Sequence, residues 1–314
     1  MLVRQFVVVV LMAAYFVCAP VRADDRATVP VGVRRVLFLG DSITYGGAYV
    51  SDIEAYFITR YPDRQIEFIN VGLPSETVSG LSEPGHAGGK FPRPDLHERL
   101  GRVLEKTKPD LLFACYGMND GIYLSLDEER FGKFREGMEW LHQQVIAAGA
   151  KIVHVTPPTY DPMKGSKADY NMVLDRYSEW LLDQRAKGWD VVDLHGQMNR
   201  YLAERREKDP KFFLSGDGIH PNELGHWIMA KQILLHLGGK DIGNAPDAQA
   251  MVSGNPHGAE ILKLVEKRQG MMKDAWLTAT GHKRPGMKTG LPLEVAKAKS
   301  EEMEKQIREL VKAS

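Results

Sequence analysis

Short apolar segments of strand length alternate along the chain with longer segments in which apolar residues recur every three or four positions. Several of the short segments are too continuously apolar for strands that are buried on only one face of a sheet. The five candidate strands span residues 35–40, 66–72, 109–117, 151–158 and 189–196. Strands that alternate with helices form a parallel sheet covered by helices on both faces. The pattern therefore predicts an α/β fold, a three-layer α/β/α sandwich around a central parallel sheet of about five strands.

Apolar stripes between the candidate strands indicate helices that pack on the sheet. The main stripe consists of Phe131, Phe134, Met138, Leu141 and Val145, and a shorter one of Leu96, Leu100 and Val103. A further helix is predicted from about Pro221, with Leu224, Ile228 and Leu235 on one side. Residues at this spacing form the core of a domain, so we do not interpret them as functional.

The first residues follow the pattern of a secretory signal peptide. Arg4 precedes an apolar run over residues 6–17, and small side chains suited to a signal peptidase follow at residues 21–23. The run is too short and too close to the N-terminus for a transmembrane helix. The residue before Cys18 fits lipoprotein processing poorly. We therefore expect residues 1–23 to be removed and the protein to be exported to the periplasm or the extracellular space, with no stable membrane anchor after cleavage.

The composition changes after residue 238, where Gly, Asn and Pro interrupt the apolar periodicity. We interpret residues 24–32 as a linker, residues 33–238 as the main domain, and residues 239–314 as a linker with a helical C-terminal extension. Helical character returns near residues 260–268 and over residues 293–311. We favour a brace packed on the main domain as the role of these helices, with a lid or a dimer contact as alternatives.

Charge and cysteine content argue against several classes of partner and site. The 41 basic residues balance the 41 acidic ones, so net charge predicts neither a nucleic acid nor an anionic membrane surface as the partner. Without the signal peptide, Cys115 is the only cysteine, which excludes an internal disulfide and argues against a thiolate metal site. Asp193 and His195 supply too few ligands for a metal centre. We therefore predict neither a metal nor a cofactor.

Polar residues and glycines collect at the carboxyl ends of the first three candidate strands, where ligands bind in a parallel sheet. These strands run into residues 40–42, 70–72 and 117–120. A fourth segment, SGDGIHPNELGH, places Asp217 and His220 three positions apart. A serine nucleophile needs a base to take its proton, and the base needs an acceptor that orients it. Asp217 and His220 could supply both functions to Ser42.

Acyl transfer also requires hydrogen-bond donors for the negative charge that develops on the carbonyl oxygen. The backbone amides of Ser42 and Gly72 and the side-chain amide of Asn119 could converge on that oxygen. Each residue also has a purely structural explanation. Ser42 could cap a helix, Gly72 could form a turn, and Asn119 could form an Asx turn with Asp120. The occurrence of all these residues where this fold binds ligands favours the functional explanation.

The four segments resemble the sequence blocks of the SGNH hydrolases, also called GDSL esterases and lipases. GDSIT resembles the first block, NVG the second, GMND the third and DGIH the last, in family order. The resemblance covers roughly residues 33–238 and implies a flavodoxin-like sandwich and ester hydrolysis through an acyl-enzyme, without a cofactor. It implies Ser42 as nucleophile and oxyanion donor, Gly72 and Asn119 as the other oxyanion donors, and Asp217 and His220 as triad partners. Ile43 stands where the family motif has leucine, an exchange that does not touch the chemistry.

A long segment over residues 73–94 follows the oxyanion glycine and exceeds the length of a simple connection. We expect it to form a wall of the substrate site, and residues 281–286 are a candidate to fold over the same mouth. Candidate substrate-binding residues are Asp41, His86, Lys90 and Arg93. Export and the polar character of the long segment favour a small-molecule or polysaccharide ester as substrate, with an O-acetyl or short-acyl group on a carbohydrate.

Two other interpretations remain open at this point. The family also contains lysophospholipases, lipases and thioesterases, which bind an acyl chain in an apolar groove. A noncatalytic glycan-binding module would keep the fold without turnover. Preference for acyl-chain length separates the first alternative from an acetylesterase, and the absence of hydrolysis identifies the second.

Overall fold

The computed structural model describes residue 29, residues 32–239 and residues 242–313. The predicted signal peptide over residues 1–23, including Cys18, lies outside the described residues. Of the predicted linker over residues 24–32, only residues 29 and 32 are described.

The centre of the molecule is a parallel sheet. Its strands are β1 (Arg35–Gly40), β2 (Glu67–Asn70), β3 (Leu111–Cys115), β4 (Lys151–Val155) and β5 (Asp190–Val192). The spatial order is β2-β1-β3-β4-β5, and every neighbouring pair is parallel. The chain moves from β1 outward to β2 and then crosses back to β3, so β1 and β3 flank the point where the direction of winding reverses. The predicted flavodoxin-like α/β sheet is confirmed.

Helices follow the strands and cover the sheet. Those of the main domain are α1 (Ser42–Gly46), α2 (Ala48–Arg60), α3 (Leu100–Thr107), α4 (Glu128–Ala147), α5 (Tyr170–Asp183), α6 (His195–Lys208) and α7 (Glu223–His236). α2 packs against α7. Phe134 of α4 stacks on Tyr177 of α5 with ring centroids 4.2 Å apart. Within the described residues, no helix combines the length and the apolarity needed to cross a bilayer.

Burial confirms the predicted stripe of α4, whose five apolar residues are all buried. The predicted stripe of α7 is wrong at Leu235, which is 38% exposed, whereas Trp227, Met229 and Ile233 are buried. α7 contacts α2, α6 and β5, so its buried surface is wider than one stripe. The neighbours of a helix therefore select its buried residues where the sequence is apolar on more than one side.

The C-terminal extension forms three helices that pack on the main domain. They are α8 (Ala248–Val252), α9 (Gly258–Thr280) and α10 (Leu293–Lys312). α9 lies against α2, α3 and the edge strand β2. The Gln269 side chain donates to the Phe68 carbonyl of β2 at 2.9 Å, and Arg268 donates to the buried Glu54 carboxylate of α2 at 2.8 Å. These contacts cover an edge strand that would otherwise expose unpaired backbone groups, as a brace does.

Candidate active site

The turn from β1 into α1 places Ser42 at the carboxyl edge of the sheet. β1 ends at Gly40, where a Cβ atom would lie 2.3 Å from the Thr44 hydroxyl, so only glycine permits this turn. The Asp41 carboxylate caps α1 by accepting the Ile43 N–H at 2.9 Å. Gly47 precedes α2 without a side-chain cap. Ser42 is therefore not the cap of either helix, and its hydroxyl remains available for other contacts.

The Ser42 hydroxyl, the His220 ring and the Asp217 carboxylate form one hydrogen-bonded chain. His220 Nε2 lies 2.9 Å from Ser42 Oγ, although the two residues are 178 positions apart. On the other side of the ring, Nδ1 lies 2.7 Å from Asp217 Oδ2. This is the nucleophile, base and orienting acid arrangement of serine hydrolases.

The electrostatics of the chain suit proton transfer. Partial burial acts to raise the pKa of Asp217, but hydrogen bonds from the His220 ring and from the backbone N–H groups of His220 and Ile219 outweigh burial and lower the pKa. An ionised Asp217 accepts the Nδ1–H of His220, so a neutral ring presents an unprotonated Nε2 to Ser42. The His220 and Asp217 side chains are 51% and 54% exposed, so a substrate can approach these hydrogen-bonded residues from solvent.

Asp41 lies directly behind the nucleophile and is almost fully buried. Burial raises the pKa of Asp41 to about 7, although the hydrogen bond from Ile43 acts in the opposite direction. Its carboxyl therefore has a structural contact at the start of α1 and little surface at the mouth of the site.

The backbone of Gly72 lies so close to the backbone of α1 that no side chain fits between them. A Cβ atom at Gly72 would lie 2.3 Å from the Tyr45 backbone nitrogen. The Gly72 N–H donates to Asn70 Oδ1 at 2.9 Å, and the Asn70 amide donates to the Thr44 carbonyl at 2.7 Å. Asn70 thus ties the end of β2 to α1, and the Gly72 amide already has an acceptor in the free protein.

The Asn119 side chain is held in one orientation. Its Oδ1 accepts from Arg93 Nη1 at 2.9 Å and from the Tyr123 hydroxyl at 3.2 Å. A guanidinium only donates, so the oxygen of the amide must face Arg93. Nδ2 donates to the Glu76 carbonyl at 3.2 Å, which leaves its second N–H for another acceptor. Asn119 is thus prepared to donate to an oxyanion.

The segment over residues 73–94 is anchored to the strand end that carries Asn119. Asp120 Oδ1 accepts from the Ser79 N–H at 2.9 Å and from the Ser79 hydroxyl at 2.8 Å, while Oδ2 accepts from the Gly117 N–H at 2.9 Å. Farther along the segment, Glu83 holds Arg93 in a bidentate pair at 2.6 and 2.7 Å. The segment therefore forms a fixed wall beside the candidate oxyanion site.

The four candidate substrate-binding residues lie in different environments. Asp41 and Arg93 are buried, His86 is half-buried with Nδ1 3.2 Å from Glu83 Oε1, and Lys90 is exposed. Contact with substrate remains a prediction for all four. Sequence reasoning did not identify Glu83 or Tyr123 as functional candidates, because neither belongs to a motif. Glu83 acts through Arg93, ten positions later, and Tyr123 acts through Asn119, four positions earlier.

No group of three or more potential metal ligands occurs among the described residues. The His195 ring is hydrogen-bonded to Asp175, with 2.7 Å between Nε2 and Oδ1. Cys115 is buried, and burial raises the pKa of its thiol well above the ordinary value. A buried thiol with a raised pKa is unreactive.

Comparisons with known proteins agree with this geometry. The GDSL-like lipase/acylhydrolase family matches residues 38–228. An acetylxylan esterase from Geobacillus stearothermophilus is 23% identical over 231 residues, which cover 65% of this chain and 94% of that protein. A catalytic mutant of an acetylxylan esterase from the same organism superposes with a TM-score of 0.52 at 20% identity. The superposition covers 65% of this chain and 94% of that protein.

A gut microbial diltiazem-metabolizing enzyme superposes with a TM-score of 0.57 at 26% identity, over 68% of this chain. The match spans 49% of that enzyme, about half of its length. The likeness of the solved structures shows the fold, and the family match covers more than half of the chain, including every residue of the candidate triad and oxyanion site. The chain therefore belongs to the GDSL-like lipase/acylhydrolase family of SGNH hydrolases and is a serine hydrolase that acts on ester bonds.

Proposed function

We propose that the protein is an exported carbohydrate esterase that removes acetyl or other short acyl groups through an acyl-enzyme on Ser42. The observation that carries the proposal is the hydrogen-bonded chain from Ser42 through His220 to Asp217 at the carboxyl edge of the sheet. The likeness to an acetylxylan esterase supports acetyl as the acyl group and a saccharide as the alcohol. Export is supported by the sequence pattern of residues 1–23.

In the first half of the reaction, Ser42 Oγ attacks the ester carbonyl carbon while His220 Nε2 takes the hydroxyl proton. The tetrahedral intermediate collapses, the bond to the alcohol oxygen breaks, and His220 returns the proton to the departing alcohol. In the second half, a water molecule attacks the acyl-enzyme, His220 takes its proton, and the carboxylic acid leaves from a regenerated Ser42.

The carbonyl oxygen becomes negative in both tetrahedral intermediates and needs donors. Ser42 is the first residue of α1, and the N–H of a first helical residue has no acceptor within the helix. The second N–H of Asn119 Nδ2 completes a pair of donors. Gly72 can contribute only by sharing or releasing its hydrogen bond to Asn70.

The surroundings of Ser42 favour a polar alcohol over a long acyl chain. The buried side chains of Asn119 and Arg93 beside the site are polar and hydrogen-bonded to each other, and the His220 side chain is half-exposed. A lysophospholipase, lipase or thioesterase would bury a long acyl chain against apolar side chains. Hydrolysis that is fastest with short acyl groups is therefore expected.

The test is hydrolysis of p-nitrophenyl acetate, butyrate and octanoate and of acetylated xylo-oligosaccharides by residues 24–314. We expect acetate to be the fastest of the three aryl esters, and Ser42→Ala to abolish turnover. Ser125→Ala, which removes an exposed hydroxyl, is the matched control and keeps full activity. Equal rates for Ser42→Ala and wild type would contradict the proposal, and an octanoate preference would support the lipid-directed alternative. Glycan binding without any hydrolysis would support a noncatalytic module.

A further inference from the structure

The C-terminal extension reaches the helix that carries the nucleophile. Lys273 of α9 donates to the Tyr45 backbone carbonyl at 2.7 Å, and its ammonium group lies 3.7 Å from the centroid of the Tyr45 ring. Tyr45 follows Ser42 by three positions, so both side chains lie on the same face of α1. The extension therefore places a positive charge against α1, the helix that begins with Ser42, in addition to covering β2.

The loop between α9 and α10 reaches the wall formed by residues 73–94. The Arg284 guanidinium lies over the Phe91 ring, with 5.3 Å between Cζ and the ring centroid. Arg284 Nη1 contacts the Pro285 carbonyl and the Met287 sulfur, both at 3.2 Å, and Nε is buried without a partner. Residues 281–286 therefore reach the wall, and their location over the mouth of the site stays a prediction.

Arg284 is a half-buried cation whose charge is not balanced by an acid. Within the described part of the chain, no carboxylate lies within ion-pair distance of its guanidinium. Burial lowers the pKa of Arg284, while the nearby Tyr45 acts to raise it. A guanidinium is costly to bury without an anionic partner. An anion from outside the protein would lower that cost.

The charges around Arg284 add up to an excess of positive charge. Residues 273–292 contain four basic residues, Lys273, Lys283, Arg284 and Lys288, and one acid, Asp274, which pairs with Lys288 at 3.3 Å.

The acidic residues of the main domain near Arg284 already form ion pairs with other arginines. Glu83 is paired with Arg93, and Glu98 is paired with Arg102 at 2.9 Å. The local excess contrasts with the equal totals of acidic and basic residues in the whole chain.

We propose that Arg284, with Lys273 beside it, forms a subsite for an anionic group of the substrate, so that the ester is carried by an acidic saccharide. This inference rests on the proposed esterase function and names the substrate class of the same site. A planar guanidinium matches a carboxylate or sulfate through two parallel N–H donors. Phe91 and Tyr45 supply flat apolar surfaces that partly exclude water, which strengthens the attraction of opposite charges.

Competitive inhibition of p-nitrophenyl acetate hydrolysis tests the subsite with three deacylated oligosaccharides of equal length. An oligogalacturonate supplies carboxylates, a carrageenan oligosaccharide supplies sulfates, and a xylo-oligosaccharide is neutral. We expect the better of the two anionic sugars to have an inhibition constant at least about tenfold below that of the neutral sugar, and the difference to shrink as ionic strength rises. The lower constant of the two identifies carboxylate or sulfate as the preferred anion.

Single substitutions test whether Arg284 causes the preference for the anionic sugar. Arg284→Gln should remove most of the preference for the anionic sugar, and Arg284→Lys should keep part of it because the charge remains without the planar fork. Arg176→Gln removes the same charge from an exposed position of α5, outside this group of basic residues, and should leave the preference intact. Equal inhibition constants for charged and neutral sugars, no inhibition by any of them, or an undiminished preference in Arg284→Gln would overturn the proposal.

Failure of the proposed esterase function is recognised separately. If the wild type does not hydrolyse p-nitrophenyl acetate, calorimetric titration with the same three sugars still measures the subsite without turnover. A preference for the anionic sugar that depends on Arg284 would then support the subsite alone. Hydrolysis without any such preference would contradict the subsite and leave the esterase proposal unaffected.

Discussion

Replacement of Arg93 by methionine should impair catalysis because Arg93 holds Asn119 in position, and not because a contact between Arg93 and the substrate is lost. Arg93 is 7% exposed and donates to Asn119 Oδ1 at 2.9 Å, while two further N–H groups pair with Glu83. We interpret Arg93 as a positioning residue that keeps Asn119 Nδ2 directed toward the oxyanion. Methionine has a similar length and no donor, so Asn119 Oδ1 would keep only the hydroxyl of Tyr123 as a partner.

The expected magnitude follows from the bonds that hold the amide. A hydrogen bond to a charged group contributes about 1.5–3 kcal/mol. A rate changes about tenfold for each 1.4 kcal/mol, so loss of this restraint should lower kcat about 10- to 100-fold. Loss of a whole oxyanion donor costs about 10²- to 10³-fold in kcat, which sets the upper limit. Because the Glu83 side chain is 28% exposed, water can replace Arg93 as its partner, and the variant should remain folded.

The assay is steady-state hydrolysis of p-nitrophenyl acetate by Arg93→Met, Asn119→Ala and the double variant, with thermal unfolding measured in parallel. We expect kcat to fall in both single variants with KM changed less than about threefold, since the interaction forms in the transition state. The double variant should be no slower than Asn119→Ala alone, because Arg93 acts through Asn119. Arg176→Met removes an exposed arginine of α5 and should behave as wild type.

Two results would refute this reasoning. Multiplicative losses of kcat in the double variant would show that Arg93 and Asn119 act independently. A rise in KM for p-nitrophenyl acetate with unchanged kcat would place Arg93 in substrate binding, as the sequence alone suggested.

Three further predictions concern the triad and the buried charges. Asp217→Asn should lower kcat about 10²- to 10⁴-fold with little change in KM, and pH–rate profiles of both proteins should show the loss at every pH. Burial and two neighbouring glutamates raise the pKa of Asp52 from the ordinary 3.8 to about 8. Between about pH 4 and 8 the folded state therefore keeps a proton that the unfolded state loses, so the stability of the wild type falls as pH rises through this range. Asp52→Asn lacks this titration, and its Tm should exceed that of the wild type by an amount that grows with pH. A difference in Tm between the two proteins that stays constant with pH would contradict the shift. Arg268→Met leaves Glu54 buried without its arginine, so urea unfolding should show a loss of about 3–5 kcal/mol, against none for the exposed neighbour Lys267→Met.

Local patterns in the sequence were sufficient for the sheet and for the candidate chemistry. Continuous apolar runs and stripes at helical spacing depend only on neighbouring positions, and they predicted the parallel sheet and the core face of α4. The spacing of Asp217 and His220 likewise predicted a pair within one short loop, since both residues belong to the same turn.

Only the tertiary structure decided how distant segments meet. It placed His220 against Ser42 across 178 positions, turned Arg93 inward onto Asn119, and brought Lys273 and Arg284 of the extension against Tyr45 and Phe91. In each case the partner is chosen by the packing of whole elements, which periodicity does not encode. The same reason explains Leu235, which has the spacing of a core residue and yet faces solvent because the neighbours of α7 cover its other sides. The sequence by itself thus determined which residues are chemically able to act, and the packing of the folded chain determined which of them touch.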